Sequence, residues 1–324
     1  MIARIARLAV SAIVFAAVIA RPALAAYPEK PVRIVVGFAA GGPTDVVARL
    51  IAESLAKANG QPFVVDNKPG AAAMIATAEV ARAPADGYTL LMTGTNHATN
   101  PSILPKLPYD TLKDLAGVSL VAEGPHVLVI HPQAPFGSVK ELVAYAKANP
   151  EKVAYSSSGK GGTVHFAGAM FEEAAKVSLT HVPYKGAAPA VQDLLGGQVP
   201  MSFASLASIN TYVKAGKLKL IATATPKRLP EYPDVPTFAE LGYPSVNISA
   251  WAGLLAPAAT PKPILEKLAS QIKQALATPE VRQRIQALGM QPMGTSVREF
   301  DAQIAREVET FGRIAKARGI TGDD

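Results

Sequence analysis

The sequence predicts an α/β protein of two lobes, each a mostly parallel sheet flanked by helices. Three observations predict this fold class. Short β-branched runs alternate with segments whose apolar residues recur at helical spacing. Proline is concentrated in two connecting stretches, Pro101–Pro108 and Pro226–Pro244, and an apolar segment closely follows each of them. The 324 residues less a predicted 25-residue leader leave 299, which is enough for two domains of ordinary size.

Residues 1–25 are predicted to be a cleavable export signal. Arg4 and Arg7 precede an apolar run of 13 residues, from Leu8 to Ala20. A helix that spans a bilayer needs roughly 20 residues, so the run fits a signal better than an anchor. The small residues Ala23–Ala25 suit signal peptidase, which predicts cleavage after Ala25.

Composition excludes several function classes. The chain has no cysteine, which excludes disulfides, thiol catalysis and lipid attachment through cysteine. The net charge of +7 includes three leader arginines, so the mature chain carries 7 − 3 = +4, with both signs of charge interspersed. One tryptophan and no basic stripe argue against a nucleic-acid partner. We also expect no cofactor.

The predicted elements alternate along the chain. Strands are predicted at 32–36, 63–65, 89–92, 153–155, 179–182, 199–203 and 218–222, with a polar loop after 89–92. Helices are predicted at 47–55, 75–83, from 163 onwards, and at 189–195, 209–215, 264–277 and 300–316. Strands that alternate with helices form parallel sheets covered on both faces.

Two apolar segments, 126–130 and 248–255, are predicted to cross between the lobes. Lobe one then comprises residues 26–123 and 248–324, and lobe two is the insert 124–247. The C-terminal helices are predicted to pack back on lobe one. Two crossings make a hinge.

Catalytic and metal-binding signatures are scarce. The chain has no G-x-S-x-G, H-E-x-x-H or EF-hand motif, and its five histidines lack metal-ligand spacing. Gly159–Thr163 departs from a P-loop, and Gly37–Gly42 departs from a dinucleotide motif. An enzyme would need Asp45 and His165 to act as an acid–base pair, although both lie where helix-end chemistry explains them. We predict a binding protein and not an enzyme.

Two glycine-rich loops form the candidate site. Gly37–Asp45 places two glycines before Pro43, and Tyr155–His165 places two glycines before Thr163. The N–H groups at a helix N-terminus attract anions. Such loops gather at the carboxyl ends of parallel strands. The sequence therefore predicts a cleft between the lobes, lined by two facing helix ends, that binds an anion.

Each candidate residue also has an alternative explanation without a ligand. Glycine pairs make tight turns, and Asp45 stabilises the start of a helix by itself. His165 could cap or pack, and Lys185 could be solvated or ion-paired. Tyr184 could fill the core or line the cleft, and Trp251 is expected to pack between the lobes.

Longer motifs surround these loops, at residues 37–45, 66–70, 85–90, 100–110, 159–165, 181–186, 214–218 and 233–237. In this order they resemble the substrate-binding receptors of tripartite tricarboxylate transporters, also called Bug receptors. The resemblance spans nearly the whole mature chain.

The resemblance implies a two-lobed periplasmic-binding-protein fold of the Venus-flytrap form (type II). It implies a periplasmic receptor that passes a small carboxylate ligand to the permease subunits of a tripartite tricarboxylate-type transporter. We also expect a monomer. A sensor that presents the ligand to a membrane signalling partner is the alternative. The ligand contacts that it implies are Phe38, Ala40, Gly41, Thr44, Asp45, Thr93 and Thr95 in lobe one, and Ser156, Ser157, Gly159, Thr163, His165, Tyr184 and Lys185 in lobe two.

Three departures from the family pattern stand out. Ala40 replaces a frequent proline, and the stretch Gly70–Ala73 has alanines where relatives often have glycines. After Phe203 the chain has Ala204 and Ser205 in place of a common Asp-Asn. A carboxylate that could contact or organise the far end of the cleft is therefore missing.

Overall fold

The computed structural model of the protein describes residues 27–104 and 106–322. The predicted leader, residues 1–25, lies outside the described residues. In the described ranges the chain forms ten strands and ten α-helices. The strands are β1 (Val32–Val36), β2 (Phe63–Asn67), β3 (Thr89–Gly94), β4 (Leu115–Ile130), β5 (Ala154–Ser157), β6 (Thr180–Pro183), β7 (Met201–Ser205), β8 (Lys219–Thr223), β9 (Ser249–Pro257) and β10 (Gln291–Pro292). The helices are α1 (Pro43–Asn59), α2 (Met74–Ala81), α3 (Asn96–Ile103), α4 (Val139–Ala148), α5 (Thr163–Ala175), α6 (Ala187–Leu195), α7 (Leu206–Lys214), α8 (Lys262–Ala277), α9 (Pro279–Ala287) and α10 (Val297–Arg318).

Two sheets share the long strand β4. In the first sheet β1 lies between β2 and β3 and pairs with both in parallel, and β9 joins β3 to β4 in antiparallel pairing. In the second sheet β5 pairs in parallel with β6 and β7. Strands β7 and β8 flank β4 in antiparallel pairing. The predicted two-lobed α/β fold is confirmed.

The sheets are mixed, which corrects the expectation of mostly parallel pairing. The antiparallel pairings all involve β4 or β9. These strands carry the chain out of the first sheet and back into it. An outgoing strand and a returning strand that lie side by side must run in opposite directions, so the sequence pattern of alternating strands and helices does not determine their pairing.

Strand β4 changes partners part-way along its 16 residues. Its first part pairs with β9, in a register that ends with Pro125 opposite Ser249. From His126 to Ile130 it pairs with β7 and β8. One strand therefore connects the two sheets without a loop.

Helices cover the sheets with closely packed apolar side chains. Ile34 of β1, Ile51 of α1 and Leu268 of α8 are fully buried in one cluster. In the second sheet Tyr155 and Phe203 are fully buried, with ring centroids 5.6 Å apart. This packing fixes where α1 and α5 begin relative to the strands.

Helix α10 packs on more of the protein than the predicted lobe one. It contacts α3 and β4, but also α5 of the second sheet. The ring centroids of Phe311 and Phe166 are 4.9 Å apart, and Arg313 forms an ion pair with Glu173. A helix of 22 residues is about 33 Å long, which is long enough to reach both sheets.

Three helices depart from the predicted elements. Residues 96–103 form α3 instead of a polar loop, and their polar composition and internal Pro101 conceal it. Helices α4 and α9 were not predicted. The sequence does carry a signal for α4, since Ser138 is a capping residue, and in the structure Glu141 N–H donates to Ser138 Oγ at 3.2 Å. None of the helices in the described ranges combines the length and apolar content that crossing a bilayer requires.

Two acidic side chains lie where the crossing strands meet α10. Glu307 accepts hydrogen bonds from Trp251 Nε1 and Gln303 Nε2, both at 2.8 Å. Glu123 accepts a hydrogen bond from the Ser249 hydroxyl. Burial raises the pKa of Glu307 to about 7 against the effect of these hydrogen bonds and of Arg306, and the neighbouring Glu123 raises it further.

We predict that Glu307 makes the protein less stable as the pH rises from about 4.5 to about 7. The ordinary pKa of the carboxyl is 4.5, so in this window the folded protein holds a proton that the unfolded chain has released. Glu307→Gln removes this titration. Between pH 5 and pH 8 its unfolding free energy, measured with denaturant and taken relative to wild type, should therefore rise by up to about 3 kcal/mol.

The difference between variant and wild type is the quantity to compare, because buried histidines titrate in the opposite sense. Burial lowers the pKa of His97 and of His126 to about 4. Glu309→Gln, at an exposed position on the same helix, is the matched control for the loss of a carboxylate from α10. A flat difference for Glu307→Gln would contradict the prediction.

Candidate ligand-binding site

The main cavity, of about 630 Å³, lies between the two sheets. It is lined from the first sheet's side by Phe38, Pro43, Thr44, Ala72, Gly94, Thr95, Asn96, Thr99, Asn100, Ile103 and Leu104, and from the second by Lys160, Gly161, Gly162, Thr163, Ser205 and Ala207. The crossing strands contribute Gly124, Pro125, Ala250 and Trp251, and the C-terminal part contributes Leu288, Gly289, Met290 and Gly322. Its size is typical of a small-molecule site.

The first glycine-rich loop is held in place by Asp45. Its Oδ2 accepts hydrogen bonds from Gly41 N–H and Arg49 Nε, both at 2.9 Å. Its Oδ1 accepts from Asn67 Nδ2 at 2.8 Å. Gly41 has φ +83°, a conformation that favours glycine. Helix α1 then begins at Pro43, and Thr44 in its first turn lines the cavity.

Asp45 is ionised in this position. It is 1% exposed, and burial opposes ionisation. The hydrogen bonds from Arg49, Gly41 and Asn67 outweigh burial and hold the pKa of Asp45 below its ordinary value. Arg49 compensates the negative charge, so Asp45 stabilises the loop while leaving the first-turn N–H groups of α1 available to a ligand.

The second glycine-rich loop repeats this arrangement. Gly161 has φ +71°, and its N–H donates to His165 Nδ1 at 3.1 Å. As in the first loop, the acceptor lies four residues after the left-handed glycine, within the first turn of the helix. Thr163 at the start of α5 lines the cavity. Two helix N-termini, one from each sheet, thus open onto the same space.

His165 and His181 support the second loop as neutral rings. Their ring centroids are 3.8 Å apart and the rings are nearly parallel. Burial lowers the pKa of His165 to about 3 and that of His181 to about 4, and the charge of Lys160 lowers both. His181 Nε2 lies 2.7 Å from Ser157 Oγ, which also accepts a hydrogen bond from Gly159 N–H at 3.2 Å.

A strained turn forms another part of the wall. Ala71, Ala72 and Ala73 have φ of 46°, 50° and 66°, which places three alanines in the left-handed region. Each such residue costs roughly 1–2 kcal/mol. Asn100 Nδ2 donates to the Ala72 carbonyl at 3.0 Å, and Asn96 donates to the same oxygen. Ala72 and Ala73, which stand where relatives often have glycine, therefore adopt a glycine-like turn that α3 holds in place.

The electrostatics of the main cavity favour an anion. Lys160 is the one charged residue among those that line it in the described part of the chain. A second cavity, of about 400 Å³, lies on another side of the crossing strands and is lined by Arg306 as well as Glu123 and Glu307. Among the described residues, no first-turn residue of a helix lines it, so the main cavity, onto which two helix N-termini open, is the candidate.

The structure brings four of the predicted ligand contacts to the main cavity: Phe38, Thr44, Thr95 and Thr163. The other ten are outside its lining: Ala40, Gly41, Asp45, Thr93, Ser156, Ser157, Gly159, His165, Tyr184 and Lys185. Their contact with a ligand stays a prediction. Among them, Asp45, Ser157 and His165 have a visible role in holding the two loops.

The structure shows the surroundings of three residues for which the sequence left alternatives open. Tyr184 is partly exposed and lies outside the lining of the main cavity, and its hydroxyl donates to Asp193 of α6 at 2.7 Å. Lys185 is exposed. Trp251 is buried, lines the cavity and packs on Phe300 of α10 with ring centroids 5.2 Å apart.

An acid–base pair of Asp45 and His165 is not supported. Asp45 is held by three donors and His165 accepts from Gly161, and neither residue lines the cavity. Among residues 27–104 and 106–322 there is also no group of three or more His, Cys, Asp or Glu placed to hold a metal ion.

Sequence reasoning missed several lining residues. Asn96 and Asn100 directly follow β3 and are one helical turn apart, a signal that could have identified them. Leu288, Gly289 and Gly322 carry no such signal, because only the tertiary fold brings the C-terminal part to the cavity.

A sequence model described as the tripartite tricarboxylate transporter family receptor matches residues 47–320. The chain belongs to this receptor family. It is 36% identical over 295 residues to protein BugT of Bordetella pertussis, with 90% of each chain covered. The family consists of receptors, and a two-lobed fold with a cavity between its sheets is consistent with a receptor.

Two solved structures of Rhodopseudomonas palustris proteins are similar to this receptor. One holds adipate, is 34% identical and overlays with a TM-score of 0.73 over 91% of this chain and 99% of its own. The other, MatC with bound malate, is 34% identical and has a TM-score of 0.69 over 89% and 99%.

We predict that Asp45→Asn destabilises this receptor by about 1–3 kcal/mol at pH 7, measured by denaturant unfolding. The amide would turn an NH₂ group toward the donors of Gly41, Arg49 or Asn67. Because the pKa of Asp45 is lowered in the folded state, the ionised carboxylate stabilises the wild-type protein less as the pH falls below 3.8. The difference in unfolding free energy between the variant and the wild type should therefore narrow.

Asp66→Asn is the matched control for charge. Asp66 has a partly exposed side chain that pairs with Arg33 and Lys68, and its replacement should change stability by about 0.5 kcal/mol or less. Equal losses for the two variants would show that Asp45 does not organise the loop.

Proposed function

We propose that this receptor is periplasmic, binds a small organic anion with a carboxylate in the main cavity, and delivers it to membrane permease subunits of a tripartite tricarboxylate-type transporter. The observation that carries the proposal is the pair of helix N-termini, at Thr44 and Thr163, that open onto one cavity with Lys160. Adipate and malate in the two relatives support a carboxylate as the ligand class.

Backbone donors and hydroxyls supply enough affinity for reversible binding. Each hydrogen bond to a charged ligand contributes roughly 1.5–3 kcal/mol. Three or four of them, less the cost of ordering and closure, can reach the roughly 8 kcal/mol that corresponds to micromolar affinity. The helix dipoles add about 0.3–1 kcal/mol each. We infer one-to-one binding by a monomer, without turnover.

We propose contacts from Phe38, Thr44 and Thr95 on one side of the ligand, and from Lys160 and Thr163 on the other. All five line the cavity. Asp45 and His165 act through the loops that they hold, since each accepts the N–H of the left-handed glycine before its helix.

We propose that lobe one comprises residues 26–123 and 248–324 and that lobe two comprises 124–247. The change of partners in β4 between Pro125 and His126, and the start of β9 at Ser249, support these boundaries. A ligand that touches both helix ends gains contacts when the lobes approach, so binding shifts a hinged protein toward closure.

The proposed periplasmic location rests on the leader at residues 1–25 and on the receptor family. Intact-mass analysis of periplasmic protein from cells expressing the gene would locate the cleavage site. Cleavage after Ala25 is the proposed result, and retention of residues 1–21 would overturn the proposed export.

We predict that carboxylates raise the melting temperature of the mature protein in a screen of mono-, di- and tricarboxylates, acidic amino acids and aromatic acids. A ligand that binds only the folded state stabilises it. For the best ligand, Thr44→Glu should weaken binding by at least tenfold in calorimetry, because it puts a negative charge at the anion-binding end of α1.

Thr44→Gln is the matched control, since glutamine has nearly the same shape without the charge. It should retain more of the affinity than Thr44→Glu. An acid in the first turn of a helix is favourable in itself, so we expect both variants to fold. Equal affinities for the two variants would contradict a carboxylate at Thr44, and a screen without any carboxylate ligand would contradict the proposed function.

A further inference from the structure

A further chamber, distinct from the cavity beside Glu123 and Glu307, extends the main cavity toward the second sheet. Its volume is about 210 Å³, room for about seven water molecules at roughly 30 Å³ each. Thr163, Ser205 and Ala250 line both spaces, so a ligand bound at the start of α5 lies at the entrance of the chamber.

The wall of this chamber is uncharged. It consists of seven apolar residues, four serines, Thr163 and His126. Within the described part of the chain, no carboxylate, lysine or arginine lines it. Ser202 and Ser208 already donate their hydroxyl hydrogens to the carbonyls of Ser156 and Ser205, at 3.0 and 2.8 Å.

His126 is the one titratable group that lines the chamber in residues 27–104 and 106–322, and it is neutral. It is 2% exposed, and its Nε2 lies 2.7 Å from Thr163 Oγ1. Its Nδ1 is buried and has no hydrogen-bond partner, so no acceptor stabilises a second ring proton. Burial lowers the pKa of His126 to about 4, so the neutral ring is the form present at pH 7.

We infer that the ligand of this receptor is a monocarboxylate whose far end is uncharged and enters this chamber. A second carboxylate there would lose its water and would meet hydroxyls and the helix starts at Thr163 and Ala187, but no cation, so its charge would be less well compensated than in water. The start of α5 at Thr163, where the ligand carboxylate is proposed to bind, lines both the main cavity and the chamber, so the far end of the ligand is the part that reaches the uncharged wall. A hydroxyl suits the chamber, because it can donate to or accept from serine and threonine hydroxyls.

This inference rests on the proposed function and narrows it. It also explains what the absence of an acidic residue after Phe203 does to the site. Ala204 and Ser205, which stand in place of the common Asp-Asn, both line the chamber and leave its wall uncharged. A far end that carries an ammonium group would find no carboxylate partner, so amino acids with a distal amine are excluded for the same reason as dicarboxylates.

The test compares acids that differ only at the far end. Calorimetry on the mature protein would use adipate against 6-hydroxyhexanoate, and succinate against 4-hydroxybutanoate. In a pair that binds, the hydroxy acid should bind at least tenfold more tightly than the dicarboxylate. A dicarboxylate that binds as tightly or more tightly would overturn the inference while leaving the proposed carboxylate receptor intact.

A pair of variants tests whether the chamber is responsible. Ser205→Lys supplies a cation at the entrance and should move the preference toward the dicarboxylate by at least tenfold. Ser205→Met has a similar length without the charge and should keep the preference for the hydroxy acid. Melting temperatures check that both variants fold. An unchanged preference in a folded Ser205→Lys protein would overturn the assignment, and the absence of binding by any acid would overturn the proposed function with it.

Discussion

The antiparallel pairing of β4 with β9 is the constraint on which the rest of the structure depends. These strands lie side by side from Leu115 to Pro125, and beyond that point β4 continues into the other sheet. Because they join the sheets directly, the carboxyl ends of β1 and β3 face those of β5 and β7 across the cavity. Helices that begin after these strands must then start close to one another, which creates the site.

The two glycine-rich loops have the same backbone arrangement but use different side chains to hold it. Each needs a left-handed glycine, and each satisfies that glycine's N–H with a side chain four residues later. The first acceptor is the Asp45 carboxylate, which requires Arg49 nearby. The second is neutral His165, beside Lys160. The loops are thus held in place without any ligand, and each leaves the N-terminus of a helix facing the cavity.

Local sequence signals were sufficient to predict elements whose position depends on the backbone preferences of a few residues. Proline at Pro43 and the paired glycines predicted the starts of α1 and α5, and the β-branched run Val32–Val36 predicted β1. Tertiary pairing decides the other elements. Gly117, Gly124 and Pro125 obscure a strand pattern in β4, and pairing with β9 and β10 makes that segment a strand. The same limit applies to the site. Its glycine loops were visible, whereas the charge state of His126 depends on burial that no local pattern reports.

Small-angle X-ray scattering with and without a saturating carboxylate tests most directly whether the two helix ends bind one ligand across the hinge. If they do, the ligand must lower the radius of gyration and shorten the long interlobe distances. Tight binding by calorimetry together with identical scattering in both states would contradict this account, because a ligand that leaves the lobes where they were is not held by both.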